Sequence, residues 1–174
     1  YYYVRWEAPP TFNVPSEPFD YLVCELTSGH KGKRPLRVRL HCWGSWLHTS
    51  AVFYKMPKEM IIVRTNQHPY DWWSGFNESL YTLKSYEQGV VRNYTFNRIR
   101  AFVDHLVCKK WDIDTNRIRL VGGSMGGAGA SYNGVRNGDY FSEAVSSVGV
   151  HIPLETGRNF QESYEGMLGD PKWN

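Results

Sequence analysis

The stretch that most constrains this chain is Gly122-Gly123-Ser124-Met125-Gly126-Gly127. It follows the β-prone run Arg117-Ile118-Arg119-Leu120-Val121 and leads into Ala128-Gly129-Ala130, small residues suited to a tightly packed helix start. A strand therefore runs into a serine at a sharp turn and leaves as a helix, with the G-x-S-x-G spacing of such a turn. Backbone that bends so abruptly is strained, and only small neighbours let strand and helix approach closely. The hydroxyl then stands at the C-terminal edge of a sheet, beside the positive end of a helix. That placement marks Ser124 as a nucleophile. The plain alternative is a glycine-rich turn carrying a solvated serine.

The run from Asp114 to Ala130 resembles the α/β-hydrolase serine esterases, in the branch that holds feruloyl-esterase-like, polyhydroxybutyrate-depolymerase-like and esterase-D-like enzymes. Prolyl-oligopeptidase-type peptidases share the G-G-S-x-G-G form. In order of elements the likeness covers roughly Tyr21 to Val150, and it is specific around Ser124 and, more weakly, around His41. It implies an α/β fold, a mainly parallel sheet flanked by helices, and cleavage of a carboxylic ester through an acyl-enzyme on Ser124. The N–H of Met125 and one from the loop His41 to Gly44 would stabilise the oxyanion. That loop often begins His-Gly in the family. Here Cys42 stands where glycine is usual, and Trp43 is the first choice as second donor.

The chain of 174 residues is long enough for one domain with a real core. Its formal net charge of +3 is too small to suggest a nucleic-acid partner, and no apolar run is long enough to span a membrane. The basic run from His30 to Arg39 reads as a solvated hairpin, with Ser28 to Lys33 as its turn. Cys24, Cys42 and Cys108 are an odd, scattered set and read as free thiols. The sequons at Asn77 and Asn93 read as chance matches. Asp112 and Asp114 read as turn-capping residues, so neither metal nor cofactor is expected.

Residues 1–19, with four prolines, read as an extended arm or an edge strand, followed by a hydrolase-like segment over 20–174. Tyr21 to Leu26 and Pro35 to His41 are predicted as paired strands, the second alternating Leu36, Val38 and Leu40 with Arg37, Arg39 and His41. Met60 to Arg64 is a third strand. The loop Asn66 to Phe76 after it should open on the ligand-binding edge. Its Trp72 and Trp73 could stack a substrate ring or pin the loop to the core, and His41 is a further candidate for substrate contact. Tyr94 to Lys110 is predicted as a helix, because Ile99, Phe102, Val103, Leu106 and Val107 recur at helical spacing, with Arg98 away from that stripe. A helix follows Ser124 to about Arg136, Ala144 to Val150 is a strand, and residues 155–174 read as polar and weakly structured.

The family's order is serine, then an acid, then histidine. After Ser124 the only histidine is His151, directly after the next strand, where it would line a pocket more readily than act as base. Asp139 ends the helix at the wrong edge of the sheet. The expectation is an N-terminal portion of a longer hydrolase, with the remaining C-terminal part as its partner. The substrate would be a small-molecule or carbohydrate-linked ester. The abrupt Tyr1-Tyr2-Tyr3 start fits a processed or cut chain, and the setting leans towards extracytoplasmic or secreted. Two other readings stay open: a prolyl-oligopeptidase-like peptidase and a non-catalytic hydrolase-like binding domain.

Overall fold

The structure, a computed structural model, describes residues 1–25, 30–47, 57–152, 155–170 and 172. His48 and the turn residues Ser28 and Gly29 lie outside the described residues. The strands are β1 (Tyr2–Glu7), β2 (Glu17–Cys24), β3 (Arg34–Leu40), β4 (Ile61–Thr65), β5 (Phe76–Asn77), β6 (Val91–Arg92), β7 (Ile113–Gly123) and β8 (Glu143–Ser147). Six of them form one sheet in the order β1-β2-β4-β3-β7-β8, and β5 and β6 form a small separate ladder. The ladders β1–β2 and β2–β4 are antiparallel, and β4–β3, β3–β7 and β7–β8 are parallel.

The expected hairpin between the second and third strands does not form. β2 pairs with β4 instead, and β4 separates it from β3. The reason lies in β4, where all five residues from Ile61 to Thr65 are buried. A strand with the apolar core Ile61-Ile62-Val63 that stays buried even at Arg64 and Thr65 belongs in a sheet interior, covered on both faces and paired on both edges. β3 is interior too, although its sequence alternates. Leu36, Val38 and Leu40 bury themselves in the core, while Arg37 and Arg39 stay half-buried on the opposite face. The N-terminal residues supply the edge strand β1, whose six residues pair in register with β2.

The helix over the sheet begins as α1 (Tyr94–Phe102), passes through a π-helical turn at Val103–Val107 and ends as α2 (Cys108–Lys110). Asn93 caps α1 by accepting the Phe96 N–H at 3.3 Å, and its own amide nitrogen is occupied by Asn133. Ile99, Phe102, Val103 and Val107 are buried as their spacing predicts. Arg98 departs from expectation, being 1% exposed. It donates to Thr65 Oγ1 at 2.7 Å, Tyr21 Oη at 3.2 Å and the Asn66 carbonyl at 3.0 Å, and lies 3.8 Å over the Phe19 ring. A buried cation needs such full satisfaction, and this one ties α1 to β2 and β4.

Two further elements differ from the sequence reading. The segment Asp114 to Asn116 is an irregularity within β7, where the register with β3 shifts between Arg34 and Leu36. Asp114 accepts from the Asn116 N–H at 3.1 Å and from Arg117 at 2.7 Å, so it braces this irregular stretch of the strand where a turn ahead of the strand was expected. Near the C-terminus, Arg158–Leu168 is a helix, α4, where weak structure was expected. Phe160, Tyr164, Met167 and Leu168 fall on one face at helical spacing, and Tyr164 is buried against Trp72 at 4.9 Å between ring centroids.

Candidate active site

Ser124 sits between the end of β7 and the start of α3 (Met125–Arg136), with φ 53° and ψ −121°. A positive φ is rare for a residue with a side chain and marks stored backbone strain. The surroundings hold the strain in place. The Ser124 N–H donates to the Ser147 carbonyl at 2.9 Å, and the Ser124 carbonyl accepts the Ala128 N–H at 3.0 Å, opening α3. The flanking glycines are required by contact. A Cβ on Gly122 would fall 1.9 Å from the Gly126 carbonyl oxygen, and one on Gly126 would fall 2.5 Å from that of Leu40. Strand and helix therefore touch backbone to backbone at the turn, and the Ser124 side chain is left exposed.

Met125 is buried and is the first residue of α3, so its N–H belongs to the first turn, where helical amides have no partner within the helix. The loop after β3 runs alongside. Its Ser45 N–H donates to the Cys42 carbonyl at 3.1 Å, and Gly44 takes a φ of 69° at the corner. His41, Cys42 and Ser45 from this loop line a cavity of about 480 Å³ together with Ser124, Arg39 and Arg64. Trp43 is 56% exposed and packs against Tyr70 at 5.1 Å and Trp72 at 5.9 Å between ring centroids.

His41 is held on every side. Its Nε2 accepts the Gln67 N–H at 3.2 Å, which leaves Nδ1 to donate to the Cys42 carbonyl at 2.9 Å. Its ring packs edge-on to Trp73 at 4.9 Å, and its carbonyl accepts the Trp73 indole N–H at 3.1 Å. Burial pushes the imidazole below its ordinary pKa, with the Cys42 carbonyl opposing. A neutral ring with both nitrogens engaged positions the loop and has no nitrogen left for proton transfer.

Trp72 and Trp73 are both buried, at 3% and 0% exposure, and so pin the loop to the core. Asp71 organises that loop. Its carboxylate accepts the N–H groups of Trp73 and Gly75, both at 3.0 Å, along with Thr95 Oγ1 and the Gln67 amide. Burial pushes the Asp71 carboxyl up, and these donors pull the other way. Asn133 of α3 adds a clamp by donating to the Trp73 carbonyl at 2.6 Å. His151 is exposed beyond β8, and its carbonyl accepts from Tyr132 Oη at 3.2 Å; it does not line the cavity that holds Ser124. Sequence reading passed over Asp71, whose donors are three loop neighbours and the distant Thr95, over Arg39, which alternation placed only on a half-exposed face, and over Arg64, which was read only as the end of a strand. Among the described residues no group of His, Cys, Asp and Glu side chains could hold a metal ion. The described cysteines carry no disulfide, and no described helix is long and apolar enough to cross a membrane.

A mainly parallel sheet with a strained serine between an inner parallel strand and the next helix defines the α/β-hydrolase fold. Solved structures with this fold superpose on the chain. A thermostable esterase matches with a TM-score of 0.56 at 20% identity, over 80% of this chain and 39% of its own. An S-formylglutathione hydrolase from Agrobacterium tumefaciens matches with 0.67 at 12% identity, over 98% of this chain and 65% of its own. A ferulic acid esterase matches with 0.56 at 17% identity, over 96% and 68%. The chain thus spans 39% to 68% of the length of these proteins. No protein-family model and no curated protein sequence matches it.

Proposed function

We propose that this chain carries the nucleophile and the oxyanion site of a serine carboxylic ester hydrolase. The observation that carries the reading is Ser124 itself, a side chain held exposed at positive φ on the N-terminus of α3. Ser124 Oγ attacks the ester carbonyl while a base takes its proton. The tetrahedral oxyanion forms in reach of the Met125 N–H and a second N–H from the loop after β3, with Trp43 the first choice. Collapse expels the alcohol and leaves the acyl group on Ser124, and water releases the acid. The esterases among the structural matches support this chemistry by analogy of fold.

The base and its acid are supplied by the remaining C-terminal part of the same hydrolase. Two observations support that assignment. Among the described residues His41 is the one histidine lining the cavity, and both its nitrogens are engaged. The matched proteins are also longer than this chain. The substrate is a small-molecule or carbohydrate-linked ester, and no cofactor enters the scheme. Trp43, exposed against Tyr70, offers a ring face at the rim. The test is turnover of 4-nitrophenyl acetate by the longest natural polypeptide containing these residues. Ser124→Ala should lower kcat by on the order of 10⁴ or more. A Ser124→Ala protein that retains wild-type turnover would show that another group does the chemistry.

A further inference from the structure

Trp73 touches both elements that carry the proposed oxyanion donors. Towards the loop after β3, its indole N–H donates to the His41 carbonyl at 3.1 Å, and its ring stands edge-on to the imidazole at 4.9 Å. Towards α3, its carbonyl accepts from Asn133 Nδ2 at 2.6 Å. Its side chain also lies against the α3 backbone at Gly129, where an added Cβ would fall 2.3 Å from Trp73 Cβ. The same His41 carbonyl faces Gly126, the residue after Met125, and a Cβ there would fall 2.8 Å from its oxygen. Trp73 is thus a spacer between the loop from His41 to Ser45 and α3.

The backbone of Trp73 is held outside its ordinary range. Trp72 and Trp73 take φ values of 54° and 63°, two consecutive left-handed residues that both carry side chains. Such backbone persists only where the surroundings over-determine it. The restraint here is Asp71, which is fully buried. Its Oδ1 accepts the Trp73 N–H and its Oδ2 the Gly75 N–H, and Thr95 of α1 donates to the same carboxylate. A ring that only filled the core could do so from relaxed backbone. This conformation adds something else: an indole N–H aimed at one element of the site and a carbonyl engaged by the other.

We propose that Trp73 is a positioning residue for ester hydrolysis, one that sets the distance between the loop donor and the Met125 N–H of the oxyanion site. The inference rests on Ser124 as nucleophile and on that oxyanion site. Both donors must converge on one oxygen, each at about 2.7–3.1 Å. A small shift of the loop therefore weakens stabilisation of the tetrahedral state and leaves binding of the planar ester nearly unchanged.

Trp73→Phe keeps a ring in the core and deletes the donor to His41. In the longest natural polypeptide containing these residues, it should lower kcat on 4-nitrophenyl acetate by about 10- to 100-fold, with KM within about twofold of wild type. A trifluoromethyl ketone, which Ser124 attacks to form a tetrahedral alkoxide, should bind more weakly by the factor that kcat/KM loses. Asn133→Ser cuts the contact on the α3 side and should show the same split, so the inference is decided even if Trp73→Phe does not fold. Tyr140→Phe deletes the bond from Tyr140 Oη to Asp104 in the helix over the sheet; as a control for lost stability, it should leave both constants near wild type. A kcat unmoved by Trp73→Phe and Asn133→Ser would overturn the inference. So would a loss carried by KM with the ketone's affinity unchanged, or an equal loss in Tyr140→Phe. If wild type turns over no ester and a fluorophosphonate leaves Ser124 unlabelled, the hydrolase reading fails, and this inference fails with it. Turnover that every variant keeps overturns the inference alone.

Discussion

At the scale of single residues, Ser124 carries the account because its conformation costs energy. A non-glycine residue at φ 53° and ψ −121° stores roughly 1–3 kcal/mol of strain. Glycine relieves that strain and gives back about 0.5–1 kcal/mol in unfolded-state entropy. Ser124→Gly should therefore stabilise the fold by about 1 kcal/mol while abolishing activity, whereas Ser124→Ala keeps the strain and abolishes activity alone. Urea unfolding of the two variants checks this, and equal stability would show the turn to be relaxed. His41 gives a pH test. Its folded pKa lies below the ordinary 6.5 because burial disfavours the charged ring. Below about pH 6.5 the unfolded chain binds the proton more readily than the folded one, so stability present above that value is lost as pH falls towards the folded pKa. Unfolding followed from pH 8 to pH 5 should show this component in wild type, and His41→Phe should lack it. Identical pH slopes would mean that His41 is not held neutral. The turn at Ser124 was legible from the glycine spacing taken together with the β-prone run before it and the small residues after it. Arg98 was not, because its partners Tyr21, Thr65 and Asn66 are far away in the chain and meet only once it folds, and Asp71 was not, because local spacing does not show that its carboxylate turns inward onto the loop amides and Thr95.

At the scale of elements, sequence showed most strands and helices but misjudged which ones touch. β7, α3 and the helix beginning at α1 were legible from their periodicity and from the small residues at the turn. The hairpin between β2 and β3 was not formed, because the insertion of β4 depends on a crossover that local pattern does not encode. The helix α4 was overlooked although Phe160, Tyr164 and Met167 carry its apolar stripe; the abundance of polar residues around them masked it. α4 docks on the loop beside the site through Trp72, whose indole N–H donates to Ser163 Oγ at 2.9 Å and whose ring meets Phe160 at 5.5 Å. Removing that anchor should cost roughly 3–5 kcal/mol if the loop cannot collapse. It should also free the helix. Trp72→Ala should speed amide hydrogen exchange across Arg158–Leu168 while β3 and β4 stay protected. Unchanged exchange in α4 would show that the helix is held by something else.

At the scale of the whole molecule, the sheet gathers the site at one edge. The parallel strands β3 and β7 end together, one in the loop from His41 to Ser45 and the other in Ser124. β8 borders β7 as an outer strand with all five residues exposed. The matched hydrolases are longer than this chain. The fold class was legible because strand–serine–helix is a local signature. The composition of the cavity was not, because Arg39 and Arg64 come from strands whose adjacency appears only in the assembled sheet. The central claim is that Ser124 is the nucleophile, and site mapping tests it most directly. The longest natural polypeptide containing these residues is treated with a fluorophosphonate, digested, and read by mass spectrometry. The account predicts a single phosphonylated site at Ser124, absent in Ser124→Ala. A catalytically active preparation that carries the adduct on another residue, or takes none, would contradict it.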